Sequence, residues 1–111
     1  MAQRPEPHGI RDLTPEEVAD GLSRDAILLV DVREPHEVAA ERIAGAVLLP
    51  LSQFDPDSIP DPGQRTVVFS CGSGVRSVRA AEMAQAAGLP YDAHLAGGIR
   101  AWKAAGLPTE R

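Results

Sequence analysis

The stretch Thr66-Val67-Val68-Phe69-Ser70-Cys71-Gly72-Ser73-Gly74-Val75-Arg76-Ser77 changes character twice within a few residues. Thr66 to Ser70 is apolar without alternation, the pattern of a strand covered on both faces, as in a parallel sheet. Cys71 to Gly74 carries two glycines and suits neither strand nor helix. From Ser77 onward, Ala80, Met83, Ala84 and Ala87 recur at helical spacing, with Arg79, Glu82 and Gln85 on other faces and Gly88 as a C-cap. A buried strand, a glycine loop and a helix in succession are the unit from which parallel α/β sheets are built.

The same alternation runs outward in both directions. Thr14-Pro15-Glu16-Glu17 is a capping box with proline at the first helical position, so a helix is expected over 15–22. Ile27 to Asp31 and Ala46 to Leu49 read as further buried strands, the second stopped by Pro50. Pro35 to Glu41 reads as a short helix, 51–59 as another, Tyr91 to Leu95 as a short strand and Ile99 to Ala105 as a last helix. Trp102 is expected in the core. Pro5, Pro7 and Gly9 interrupt any period, so residues 1–12 are expected to be a mobile tail before a domain over 13–111. The expected fold is α/β, with a mostly parallel central sheet of about five strands and helices on both faces. Right-handed crossovers would bring Asp31 and Cys71 to the same edge of that sheet, where sites of such folds gather.

Bulk properties exclude several functions. A formal net charge of -5 over 111 residues argues against general nucleic-acid binding. Met1 to Ile10 has no apolar run fit for a secretory signal, and the longest apolar run, Ala26 to Val30, is too short for a bilayer. A cytoplasmic protein with no membrane partner is expected, in a compartment that keeps a thiol reduced. The single cysteine rules out an intramolecular disulfide and a thiolate metal cluster. His8, His36 and His94 share no metal-ligand spacing, so no metal is expected. Gly97-Gly98 is no dinucleotide fingerprint, and no cofactor is expected.

Cys71 is the candidate nucleophile. Gly72 and Gly74 let successive backbone N–H groups turn inward as an anion nest, the following helix offers its positive end, and Arg76 adds a fixed charge at the rim. All three favour thiolate over thiol. The competing reading is a small buried hydrophobe after Val67-Val68-Phe69. Asp31 and Arg33, at the end of a central strand, stand between a pocket role and a structural ion pair. His94 forms a Cys–His pair only if it folds back to Cys71; otherwise it is a surface or partly buried histidine.

The loop Cys71-Gly72-Ser73-Gly74-Val75-Arg76-Ser77 resembles the active-site loop of rhodanese domains. Leu28-Leu29-Val30-Asp31-Val32-Arg33-Glu34 is similar to the family's early strand, Ile43-Ala44-Gly45-Ala46 to the stretch before its next strand, and Leu95-Ala96-Gly97-Gly98-Ile99-Arg100-Ala101-Trp102 to its C-terminal segment. The four pieces lie in the family's order across residues 13 to 108. The resemblance implies a rhodanese-like three-layer fold and a sulfurtransferase. Cys71 would take a sulfane sulfur from thiosulfate or a persulfide, the amides of Gly72, Ser73, Gly74, Val75 and Arg76 would cradle it, and an external thiol or cyanide would remove it. Arg76 would bind the anion. Ser77 would donate into the loop or, as serine commonly does, cap the helix. Two departures stand out: Glu41-Arg42 occupies the place of a frequent Gly-His, and Ala96 that of a frequent acidic residue. Phosphatases and arsenate reductases place five residues between Cys and Arg, against four here, Gly72 to Val75. A non-catalytic or regulatory sulfur-binding module is the other alternative.

Overall fold

The computed structural model describes residues 9–111. Five strands, β1 (Arg11–Leu13), β2 (Ile27–Asp31), β3 (Val47–Leu48), β4 (Thr66–Ser70) and β5 (Ala93–Leu95), form one sheet in the order β1-β5-β4-β2-β3, with every pair parallel. Between them run α1 (Pro15–Ser23), α2 (Pro35–Ala40) and α3 (Val75–Ala86), and α4 (Gly98–Ala104) follows β5. All five residues of β2 and the last four of β4 are buried, as their unalternating apolar sequences require. One face packs Leu29, Val68 and Leu95 against Val18 of α1 and Trp102 of α4. The other packs Leu28, Val67 and Phe69 against Ala80, Ala81 and Ala84 of α3. The three layers match the expected architecture. Among these residues no helix is long and apolar enough to cross a membrane.

The capping box forms as read: the Glu17 amide donates to Thr14 Oγ1 at 3.1 Å and the Thr14 amide to Glu17 Oε1 at 2.9 Å. Elsewhere the chain departs from expectation for local reasons. The tail assigned to residues 1–12 falls partly on 1–8, outside the described residues, but Arg11 and Asp12 stand in β1, paired in register with Ala93 and His94. That strand is short and mostly exposed, so it carries no apolar pattern. The helix expected over 51–59 is two short 3₁₀ turns, Leu51–Gln53 and Pro56–Ser58. Pro56 forces Asp55 out of the helical region, to φ -121° and ψ 110°, and so divides the segment. Phe54, between the turns, meets Phe69 edge to face with ring centroids 5.9 Å apart. β3 spans only Val47–Leu48 of the expected Ala46–Leu49.

Asp31 and Ser70 are register partners at the carboxyl ends of β2 and β4, so Asp31 and Cys71 emerge at the same edge, as expected. There α4 meets the loop after β4. The Ile99 amide donates to the Cys71 carbonyl at 2.9 Å and the Arg100 amide to the Gly72 carbonyl at 3.1 Å. Gly98 makes this approach possible: at φ +63°, a Cβ there would lie 2.4 Å from the Cys71 carbonyl oxygen and 2.6 Å from the Gly72 carbonyl carbon.

Gly98→Ala is therefore expected to cost about 2 kcal/mol or more in urea unfolding, through strained φ and overlap with backbone. Gly88→Ala, also at positive φ but with nothing within 4 Å, should cost clearly less. Equal losses would show that the α4–loop contact is not tightly packed.

Candidate active site

Cys71 leaves β4 fully buried and points its sulfur into the turn that follows. The Gly74 amide donates to Sγ at 3.1 Å and the Ser77 amide at 3.3 Å. Gly74 holds φ +97° as the N-cap of α3, and a Cβ there would come within 3.0 Å of the Gly97 nitrogen. The helix begins at Val75 rather than at Ser77, so its first turn closes directly over the sulfur and Arg76 belongs to the helix, not to the loop. Burial pushes the Cys71 thiol up; hydrogen bonds with the Ser77 hydroxyl and the Ser77, Gly74 and Ser73 backbone outweigh it, and the net shift is downward. The thiol thus sits where amides and a helix N-terminus stabilise its anion, not in a purely apolar core.

Arg76 reaches back over the loop, and a Cβ at Gly72 would meet its Nη2 at 3.2 Å. Its guanidinium is gripped by Glu37 of α2 through Nη1–Oε1 at 2.6 Å and Nη2–Oε2 at 3.0 Å. This fork lowers the Glu37 carboxyl to about 2. Arg76 is therefore a charge held in place by a partner, a feature the sequence reading missed. Val75 turns its side chain outward, 74% exposed, leaving only its backbone for the loop. Ser73 is exposed on the outer side of the turn.

Asp31 and Arg33 form a buried ion pair, with Arg33 Nη2 at 2.8 Å from Asp31 Oδ2. Arg33 also donates to the Glu41 carbonyl at 2.9 Å and to the Glu37 carbonyl at 3.5 Å. These bonds anchor α2, which carries Glu37, so the pair reaches the loop only through Arg76. Removing one member of such a buried pair costs about 3–5 kcal/mol. The Glu41-Arg42 departure also has a structural account. Glu41 takes Lys103 at 2.8 Å, and Arg42 exchanges backbone bonds with Glu110 at 2.9 and 2.8 Å, so both residues fasten the C-terminal segment.

Two expectations are corrected. Ser77 is not a cap: it lies inside α3, fully buried, with its hydroxyl 3.5 Å from Cys71 Sγ. His94 is neither a surface residue nor a direct partner of the thiol. It is 4% exposed, its Nδ1 lies 2.8 Å from Ser77 Oγ and its Nε2 lies 2.7 Å from Asp12 Oδ1. Asp12 gave no signal in the sequence, because β1 itself gave none.

Comparison with known proteins agrees with this geometry. The Rhodanese-like domain family matches residues 14–105. An uncharacterized protein from Synechocystis is 42% identical over 87% of this chain, which spans 54% of that relative's length. A protein named sulfurtransferase from Allochromatium vinosum is 34% identical, with 89% of this chain and 94% of that one covered. The crystal structure of a thiosulfate sulfurtransferase from Pseudomonas aeruginosa superposes with a TM-score of 0.77 at 30% identity, covering 99% of this chain and 21% of the other. With its strand order, its Cys71 loop and these relatives in agreement, the chain belongs to the rhodanese-like domain family.

Proposed function

We propose that the chain is a sulfurtransferase that carries a sulfane sulfur on Cys71, from thiosulfate or a persulfide to an external thiol or cyanide. The observation that supports it most directly is the donation of the Gly74 and Ser77 amides to Cys71 Sγ at the start of α3. With thiosulfate, the Cys71 thiolate attacks the outer sulfur. A new S–S bond forms to Cys71, the S–S bond of thiosulfate breaks, and sulfite leaves with the electron pair. Three negative charges enter and three leave, one on the persulfide and two on sulfite. Amides that steady the thiolate are in position to steady the persulfide anion that replaces it. Cys71 is buried, so attack on a donor requires movement of the turn that covers it. Asp31 and Arg33 are supporting residues that hold α2, and through Glu37 they fix Arg76. A reduced thiol suits a cytoplasmic setting.

The loop size weighs against the phosphatase alternative. Four residues between Cys71 and Arg76 leave fewer amides than an oxyanion ring uses, and a single sulfur needs fewer. A binding or regulatory module would share the fold but would take no sulfur from thiosulfate.

Intact mass after incubation with thiosulfate should rise by one sulfur atom in the wild type and stay unchanged in Cys71→Ser, which keeps the fold; an unchanged wild-type mass overturns the assignment. Phosphoester turnover should be at background, and turnover lost in Cys71→Ser would assign the site to phosphate chemistry instead.

Arg76→Ala should raise the KM for thiosulfate roughly tenfold, the worth of a charge-assisted hydrogen bond, and should slow sulfur uptake. Because Glu37 stays ionised down to about pH 2, this effect should be constant from pH 5 to pH 9. An unchanged kcat/KM would make Arg76 purely structural.

A further inference from the structure

Cys71, Ser77, His94 and Asp12 form a continuous hydrogen-bonded chain from the buried sulfur to the protein surface. The sulfur is 3.5 Å from Ser77 Oγ, that oxygen 2.8 Å from His94 Nδ1, and His94 Nε2 2.7 Å from Asp12 Oδ1. Ser77 is fully buried, with a relative exposure of 0%, while the Asp12 side chain is 73% exposed. The four residues come from the end of β4, α3, β5 and β1, and no sequence spacing links them.

The direction of each bond follows from donor chemistry. The Asp12 carboxylate can only accept, so His94 Nε2 carries the hydrogen. The neutral ring then accepts at Nδ1, and the Ser77 hydroxyl donates to it. Ser77 Oγ is left with lone pairs facing the Cys71 thiol, which donates to it. The chain therefore runs in a single sense from thiol to imidazole.

We propose that this chain takes the proton of Cys71 and stores it on His94, making a thiolate–imidazolium pair relayed through Ser77. The S–H bond breaks with its electron pair left on sulfur, and the proton goes to Ser77 Oγ. The hydroxyl proton of Ser77 goes to His94 Nδ1. The imidazolium then donates back to Ser77 Oγ, whose hydroxyl turns to the thiolate as a third donor beside the Gly74 and Ser77 amides. Asp12 balances the charge on the ring. No oxidant or further reactant is required. Among the described residues, the charged groups nearest the chain include Arg76, paired with Glu37 beside the sulfur, Arg11, paired with Asp92 at 3.0 Å beside Asp12, and Arg100, whose amide holds the Gly72 carbonyl. Ser77, His94 and Asp12 are positioning residues under this proposal, which rests on the nucleophilic role given to Cys71.

The test is the ultraviolet absorbance of the thiolate followed against pH, with Cys71→Ser as the blank. The chain has one cysteine, so the signal has one source, and it needs neither a sulfur donor nor access to the buried thiol. His94→Asn, whose amide can bond Ser77 but cannot take a proton, should move the midpoint up by about one unit, a roughly tenfold loss of thiolate on the acid side. Ser77→Ala should move it at least as far, and the double variant no further than Ser77→Ala alone. An unchanged midpoint in His94→Asn, or shifts that add in the double variant, would overturn the relay. Should His94→Asn fail to fold, Asp12→Asn serves in its place. Its amide oxygen can still accept from Nε2, but it carries no charge to balance the imidazolium, so the midpoint should again rise; no change there overturns the proposal. Sulfur uptake by intact mass is read separately. A wild type that takes no sulfur sinks the proposed function, whereas the thiolate midpoints alone decide the relay.

Discussion

The site depends on two backbone hydrogen bonds donated by α4 to the turn after β4. The carbonyls of Cys71 and Gly72 turn away from the sulfur and are taken by the amides of Ile99 and Arg100 at the start of α4. The carbonyl oxygens are thus spent on α4, and it is the Gly74 and Ser77 N–H groups that are left to face Sγ. A turn with its carbonyls directed inward would repel a thiolate. The contact is close enough that only glycine fits at position 98, where any Cβ would fall inside the backbone of the turn. A helix far along the chain therefore sets the polarity of the loop after β4.

A second scaffold holds the charged rim. Asp31 binds Arg33 inside the protein, Arg33 binds carbonyls of Glu37 and Glu41, and the Glu37 side chain binds Arg76. Buried pairs such as Asp31–Arg33 add little net stability over an apolar replacement, because desolvation offsets their attraction. Their consequence here is orientation: α2 is short, has no buried residues of its own and needs an anchor to present Glu37. The resulting fork limits Arg76 to one position beside the turn. It also partly neutralises Arg76, so the downward shift of the Cys71 thiol comes chiefly from hydrogen bonds near the sulfur.

Much of this was legible in the residues. β2 and β4 are unbroken apolar runs, and such runs have few options other than strands buried on both faces. Thr14, Pro15 and Glu17 specify a helix start through local hydrogen bonds alone, and the structure shows those bonds. The Cys71 loop stood out because two glycines and an arginine serve no purpose in an apolar core. β1 was not legible, since three residues, mostly exposed, are held by pairing with β5 rather than by any pattern of their own. The 51–59 segment misled because its composition fits a helix while Pro56 divides it.

The sequence by itself determined the class of fold and the strand-loop-helix that carries Cys71, because burial periodicity, capping and glycine content act over a few neighbouring residues. Only the tertiary structure decided what surrounds the sulfur. The grip of Glu37 on Arg76, the closure of α4 on the loop, and the line from Cys71 through Ser77 and His94 to Asp12 each join elements distant in the chain. Parallel pairing of β5 with β1 sets His94 beside Asp12, and packing of α3 on the same face of the sheet sets Ser77 between His94 and the thiol. Such juxtapositions follow from strand order and sheet register, and neither is written in the local spacing of residues.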